Sequence, residues 1–120
     1  MTVLVKKSAE HLDKGVVNMT EAMIEDYKLF MPPDSEVRKK MNKKFSDGFV
    51  EKTGSKYIKV ISNDSVTAFI VKTDNDKKFK KGDILYPAGW AAPARNKARG
   101  NILDGNYPIQ WTGPLYLRGG

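Results

Sequence analysis

The residues most able to do chemistry in this chain are cations and aromatics gathered between Phe79 and Gly105. Arg95, Lys97 and Arg99 alternate there. In an extended run, side chains repeat every two residues, so all three would share one side at about 6–7 Å spacing and could meet successive phosphates. Lys77, Lys78, Lys80 and Lys81 lie just upstream and can extend the same surface. Tyr86 and Trp90 offer faces on which unpaired bases could stack, each stacked base being worth about 1–3 kcal/mol. Asn96 and Asn101 can read a base edge or satisfy turn backbone. Trp90 stands between Gly89 and Ala91, and the favoured reading for it alone is a plug at the end of a small β core. Tyr107, Trp111 and Tyr116 are read as core and edge packing rather than as a stacking platform.

Enzyme chemistry has thin support. His11 is the lone imidazole, lies in a polar segment, and has no neighbouring nucleophile motif. Asp74 and Asp76 open like a calcium loop, but the required Gly and distal Glu are missing. Gly82, Gly89, Gly100 and Gly105 fit neither a Walker loop nor a dinucleotide fingerprint. With one histidine and no cysteine, a structural zinc site is not expected, and disulfides and thiolate chemistry are excluded. No cofactor or metal is implied.

The charge supports a polyanionic partner. The formal net charge of the 120 residues is +7. Residues 1–54 carry ten Lys/Arg against nine Asp/Glu, and residues 55–120 carry eleven against five with eight of the twelve aromatics. A basic, aromatic-rich half points to nucleic acid. The bland alternative is charge that only keeps a small protein in solution. No apolar run approaches the roughly 20 residues that span a bilayer, and the start of the chain has too short an apolar stretch for a signal peptide. The expectation is a cytoplasmic protein without a membrane partner.

The elements that must position these residues are α+β. Ser8–Gly15 reads as a helical turn stopped by Gly15, and Asn18 as the N-cap of a helix with Glu21 at the capping-box position. That helix carries Met19, Ala22, Met23, Tyr27 and Phe30 at helical spacing, read as core, and ends at Pro32-Pro33. Asp34 or Ser35 caps a second helix with a narrow seam of Val37, Met41 and Phe45. Arg38, Lys39, Lys40, Lys43 and Lys44 flank that seam, as a solvated face or a second phosphate track. From Phe49 the pattern is β. Tyr57–Ile61 and Val66–Val71 form a hairpin, Asp83–Tyr86 a third strand, and short strands follow at Tyr107–Trp111 and Leu115–Leu117. The architecture expected is two N-terminal helices (1–48) with a small, strongly bent antiparallel sheet or open SH3-like barrel (49–120).

Three stretches are distinctive: Lys80-Lys-Gly-Asp-Ile-Leu, Gly89-Trp-Ala-Ala-Pro-Ala-Arg-Asn-Lys-Ala-Arg-Gly-Asn-Ile, and Gln110-Trp-Thr-Gly-Pro. Here the chain resembles a group of small proteins of tailed bacteriophages with no settled activity. The resemblance covers about residues 57–117, and the helical N-terminal part has no counterpart in it. It implies a phage accessory protein in the cytoplasm of a bacterial host and supplies no catalytic residues. Such proteins bind nucleic acid, or bind and block a host enzyme or defence factor. The first reading is a non-enzymatic one that binds nucleic acid through the 77–101 surface and the 38–44 helix. A third reading is a nucleotide-binding protein or small enzyme with Trp90, Arg95 and Arg99 around a pocket.

Overall fold

A computed structural model describes residues 2–115. Its first helix, α1 (Leu12–Phe30), runs through both positions expected to interrupt it. Gly15 is a point of close contact rather than a stop. A Cβ built on it would lie 2.9 Å from side-chain carbons of Ile102, itself fully buried. Asn18 is not a cap either; it is buried mid-helix, and His11 occupies the N-cap position in extended conformation. Local capping signals lose here to the long-range contact with Ile102. Gly15→Ala would gain about 1 kcal/mol of helix propensity but overpacks a sealed contact, which costs about 1–3 kcal/mol. We expect a lowered Tm in thermal denaturation; a raised Tm would contradict this packing.

Of the expected core stripe, Met19, Met23 and Tyr27 are buried and Ala22 partly so, whereas Phe30 at the helix end is 53% exposed; Val16 joins the buried face one turn earlier. Ser35 caps α2 (Glu36–Asp47), its side chain accepting a hydrogen bond from the Arg38 N–H at 3.2 Å. Of the α2 seam only Phe45 is buried.

The β part consists of two antiparallel sheets and no closed barrel among the described residues. β1 (Val3–Val5), β6 (Tyr107–Gln110) and β7 (Gly113–Pro114) form one, in the order β1-β6-β7. β2 (Phe49–Thr53), β3 (Tyr57–Ser62), β4 (Ser65–Val71) and β5 (Ile84–Leu85) form the other, in sequence order. The β3–β4 hairpin turns on Asn63 and Asp64, with φ of 50° and 68°. A two-residue hairpin turn of this hand needs two left-handed residues, and Asn and Asp tolerate that conformation best after glycine. Residues 116–117 of the last expected strand, Tyr116 among them, lie outside the described residues.

The second sheet is covered on both faces, which sets the place of the long loop. Ile58, Val60, Ala68 and Ile70 join the core with α1 and the first sheet. Phe69 and Val71 point the other way and pack with Phe79 and Leu85 in a second cluster. The segment after β4 thus folds back over its own sheet, with Phe79 as the anchor. Among the described residues no helix is long and apolar enough to cross a membrane, and no group of three or more His, Cys, Asp or Glu could hold a metal ion.

Candidate functional site

Backbone pairing holds the loop. Ile84 N–H donates to Gly100 O at 2.8 Å, Arg99 N–H to Ile84 O at 2.8 Å, and Ile102 N–H to Gly82 O at 2.9 Å. Asn101 is the hub. Its Nδ2 donates to Lys81 O at 2.9 Å and to Asp83 Oδ1 at 3.0 Å, while its Oδ1 accepts from the N–H groups of Leu103 and Asp104 at 2.8 and 3.0 Å. It is 7% exposed. Of its two expected roles it has the structural one, since its carboxamide is spent inside the loop.

Further along, Ala94 N–H donates to Tyr86 O at 2.7 Å, and the N–H groups of Ala88 and Gly89 donate to Ala92 O at 3.0 and 3.2 Å. This closes a tight turn whose tip is Trp90. The indole is 52% exposed, so the favoured core-plug reading is incorrect. The small core it was to plug is already filled by Phe69, Val71, Phe79 and Leu85.

What surrounds Trp90 comes from a different part of the chain. Lys59 Nζ lies 4.6 Å from the indole centroid and Lys52 Nζ 6.0 Å from it. The two lysines face each other across the β2–β3 ladder. Like charges placed directly opposite destabilise a sheet. The aromatic face offsets part of that repulsion through cation–π attraction, and a bound anion would offset more. Beside them lies a hollow of about 390 Å³ whose lining includes Lys52, Lys56, Tyr57, Lys59, Phe69 and Ala91 and no acidic side chain. Lys52, Lys56 and Lys59 make no ion pair among the described residues.

Sequence reasoning missed these three lysines because Lys52-Thr-Gly-Ser55 reads as a turn. The turn is shorter and Lys52 ends up within β2. The available signal was the symmetry of Lys52 and Lys59 about a turn centred between Ser55 and Lys56, which the hairpin register brings face to face.

The expected stripe is arranged differently. Residues 95–99 belong to no strand, and their cations go to separate partners. Arg95 donates to Asp76 Oδ1 at 2.9 Å and to the Tyr57 hydroxyl, and its guanidinium lies 5.0 Å from the Phe79 ring. Arg99 is partly buried with its guanidinium 5.2 Å from the Tyr86 ring. Lys97 is exposed, and Asn96 uses its side-chain oxygen to accept the Lys97 N–H at 2.8 Å. Upstream, Lys78 Nζ donates to Arg95 O at 2.6 Å and Lys80 pairs with Asp104 at 2.9 Å, while Lys77 and Lys81 are exposed. Arg95 therefore braces the loop against the sheet beside the Trp90 hollow, and Lys77, Lys81 and Lys97 are the exposed loop lysines whose ammonium groups make neither an ion pair nor a hydrogen bond among the described residues.

Asp76 shows how firm the brace is. The hydrogen bond from Arg95, with those from the backbone N–H groups of Lys78 and Phe79, holds its carboxyl well below the usual carboxylate range. A depressed folded-state pKa contributes stability above the unfolded value of about 4, lost only as pH falls through the lower folded value. The loop is thus expected to stay braced through mild acid. Carboxyl NMR should show Asp76 still ionised at pH 4; a midpoint near 4 would contradict the link.

The secondary basic face on α2 is mostly neutralised within the helix. Arg38 pairs with Asp34 at 3.5 Å, Lys39 with Glu36 at 3.6 Å and Lys43 with Asp47 at 2.8 Å, leaving Lys40 and Lys44 without an ion pair among the described residues. No curated protein and no solved structure matches the chain. One family does match, over residues 3–117, and the chain belongs to it: it is described as a family of unknown function, DUF7717.

Proposed function

We propose that the protein binds single-stranded nucleic acid, without catalysis, on the surface formed by Trp90 with Lys52, Lys56 and Lys59. The observation that carries this reading is the half-exposed indole flanked by two lysines set directly opposite each other. A base stacks on the open part of the indole, and adjacent phosphates take the ammonium groups in place of counterions. Tyr57, Tyr86 and the exposed Lys77, Lys81 and Lys97 extend the path. Duplex DNA fits less well, because its bases are not free to stack on a single protruding ring. The resemblance to phage proteins supports an accessory role in a bacterial cytoplasm.

The test is fluorescence anisotropy with a labelled single-stranded oligonucleotide across a salt series. Three phosphate contacts on a single strand give a slope of log affinity against log salt of about −2. Replacing Lys52, Lys56 and Lys59 together with alanine should flatten the measured slope by about 2, leaving the contribution of Lys77, Lys81 and Lys97. Replacing Arg95 alone is expected to change affinity less than Lys59→Ala does, because its charge is already met by Asp76. A steep slope unaffected by the triple substitution would reject the site. The hollow's volume also suits a mononucleotide. That reading predicts thermal stabilisation growing with nucleotide concentration and equal affinity for a mononucleotide and an oligonucleotide.

A further inference from the structure

A second surface lies between the end of α1 and α2. It is a groove of about 640 Å³ with an aromatic floor and sides that include Tyr27, Phe30, Met41, Lys44, Phe45 and Trp111. The floor is held rigidly: Tyr27 and Phe45 stack with centroids 4.2 Å apart, Trp111 meets both edge-on, and Phe30 stacks on Trp111 at 5.1 Å. The Trp111 backbone N–H donates to the buried Asp26 at 2.8 Å, which ties this turn to α1. Apolar groups nonetheless remain uncovered at the rim. Phe30 is 53% exposed, Met41 39%, and Val37, one turn before Met41, 68%. Rigid aromatics and exposed methionine are the composition of a protein-binding surface rather than of a phosphate track.

Charge defines the occupant. Three of the five α2 cations are paired within or just before the helix, and the two that are not, Lys40 and Lys44, stand one turn apart beside Met41. Among the described residues no acidic side chain lines the groove. The α2 cations left without an ion pair among the described residues are thus those that border the uncovered apolar seam.

We propose that this groove docks an acidic amphipathic helix of a partner protein. The partner's apolar anchors, at i, i+3 or i+4, and i+7, would lie on the Phe30, Met41 and Trp111 surface, and its flanking carboxylates would meet Lys40 and Lys44. This surface shares no lining residue with the hollow beside Trp90, so the proposal stands or falls independently of nucleic-acid binding.

The test uses the full chain, isotope-labelled, and three synthetic peptides of about 18 residues. One is an amphipathic helix with Leu and Phe anchors and glutamate flanks, the second has the same anchors with lysine flanks, and the third is the acidic peptide broken by central prolines. The acidic helix is expected to shift the amides of Phe30, Met41, Lys44 and Trp111. The exposed double substitution Lys40→Glu/Lys44→Glu should weaken it about fivefold or more and reverse the preference toward the lysine peptide. Equal binding of the two charge forms, binding of neither, or the same amides answering to an oligonucleotide instead would overturn the proposal. So would self-association in sedimentation that buries this face.

Discussion

Replacing Trp90 with alanine is expected to weaken single-stranded oligonucleotide binding by roughly 5- to 150-fold, with little change in thermal stability. The range is the 1–3 kcal/mol of one stacked base converted to affinity. Stability changes little because the indole is half exposed at the tip of a turn whose backbone bonds, from Ala88 and Gly89 to Ala92, do not involve its side chain. A solvent-facing substitution of this kind changes stability by about 0.5 kcal/mol, and loss of the cation–π contacts with Lys59 and Lys52 adds about 0.5–1 kcal/mol. Phenylalanine should restore most of the affinity, since it keeps a stacking face. Anisotropy and a melting curve on the same preparations read both quantities. A large drop in Tm for Trp90→Ala would mean that the residue is structural after all, and unchanged affinity would remove it from the site.

Asn101→Ala should show the opposite pattern. It deletes two donated and two accepted hydrogen bonds at a residue that is 7% exposed, and leaves Asp83 and the Leu103 and Asp104 N–H groups short of partners. Leaving buried groups unsatisfied costs about 1–3 kcal/mol each where water cannot replace the bond, so a loss of about 2–4 kcal/mol is expected. Chemical denaturation should show it as a lower midpoint at unchanged m-value. Affinity measured on the folded fraction should be close to that of the wild type. Asn101→Asp is a sharper variant: it keeps the oxygen acceptor but brings a second carboxylate to Asp83, and should be no more stable than the alanine form. A variant that folds normally and loses binding would return Asn101 to the role of a base reader.

These two residues also show what can be read without coordinates. The β3–β4 hairpin is legible because Asn63 and Asp64 are turn residues by local chemistry, and the α2 start because Ser35 stands three residues before the N–H it caps. The α+β class follows from helical spacing before Pro32 and β-rich runs after Phe49. Gly15 and Asn18 mislead because their environment is set by Ile102 and the core, far away in sequence, while capping rules are local. The same is true of the site. The loop contributes Trp90, legible as a candidate, but the cations around it come from β2 and β3. The alternation of Arg95, Lys97 and Arg99 would matter only in a strand, and that segment instead runs as a braced loop with Arg95 turned onto Asp76 and Tyr57. Charge spacing along a chain becomes a surface only once the backbone is known.

Trp90 and the opposed lysines of β2 and β3 are proposed to meet an unpaired strand of nucleic acid. The most direct measurement is an amide NMR titration of the labelled protein with a short single-stranded oligonucleotide at physiological salt. Shifts are expected to centre on residues 50–59 and 86–92, with smaller ones at Lys77, Lys81 and Lys97 and the Trp90 indole N–H moving most. Shifts centred on α2, or no shifts at all where the salt-free sample binds, would contradict it.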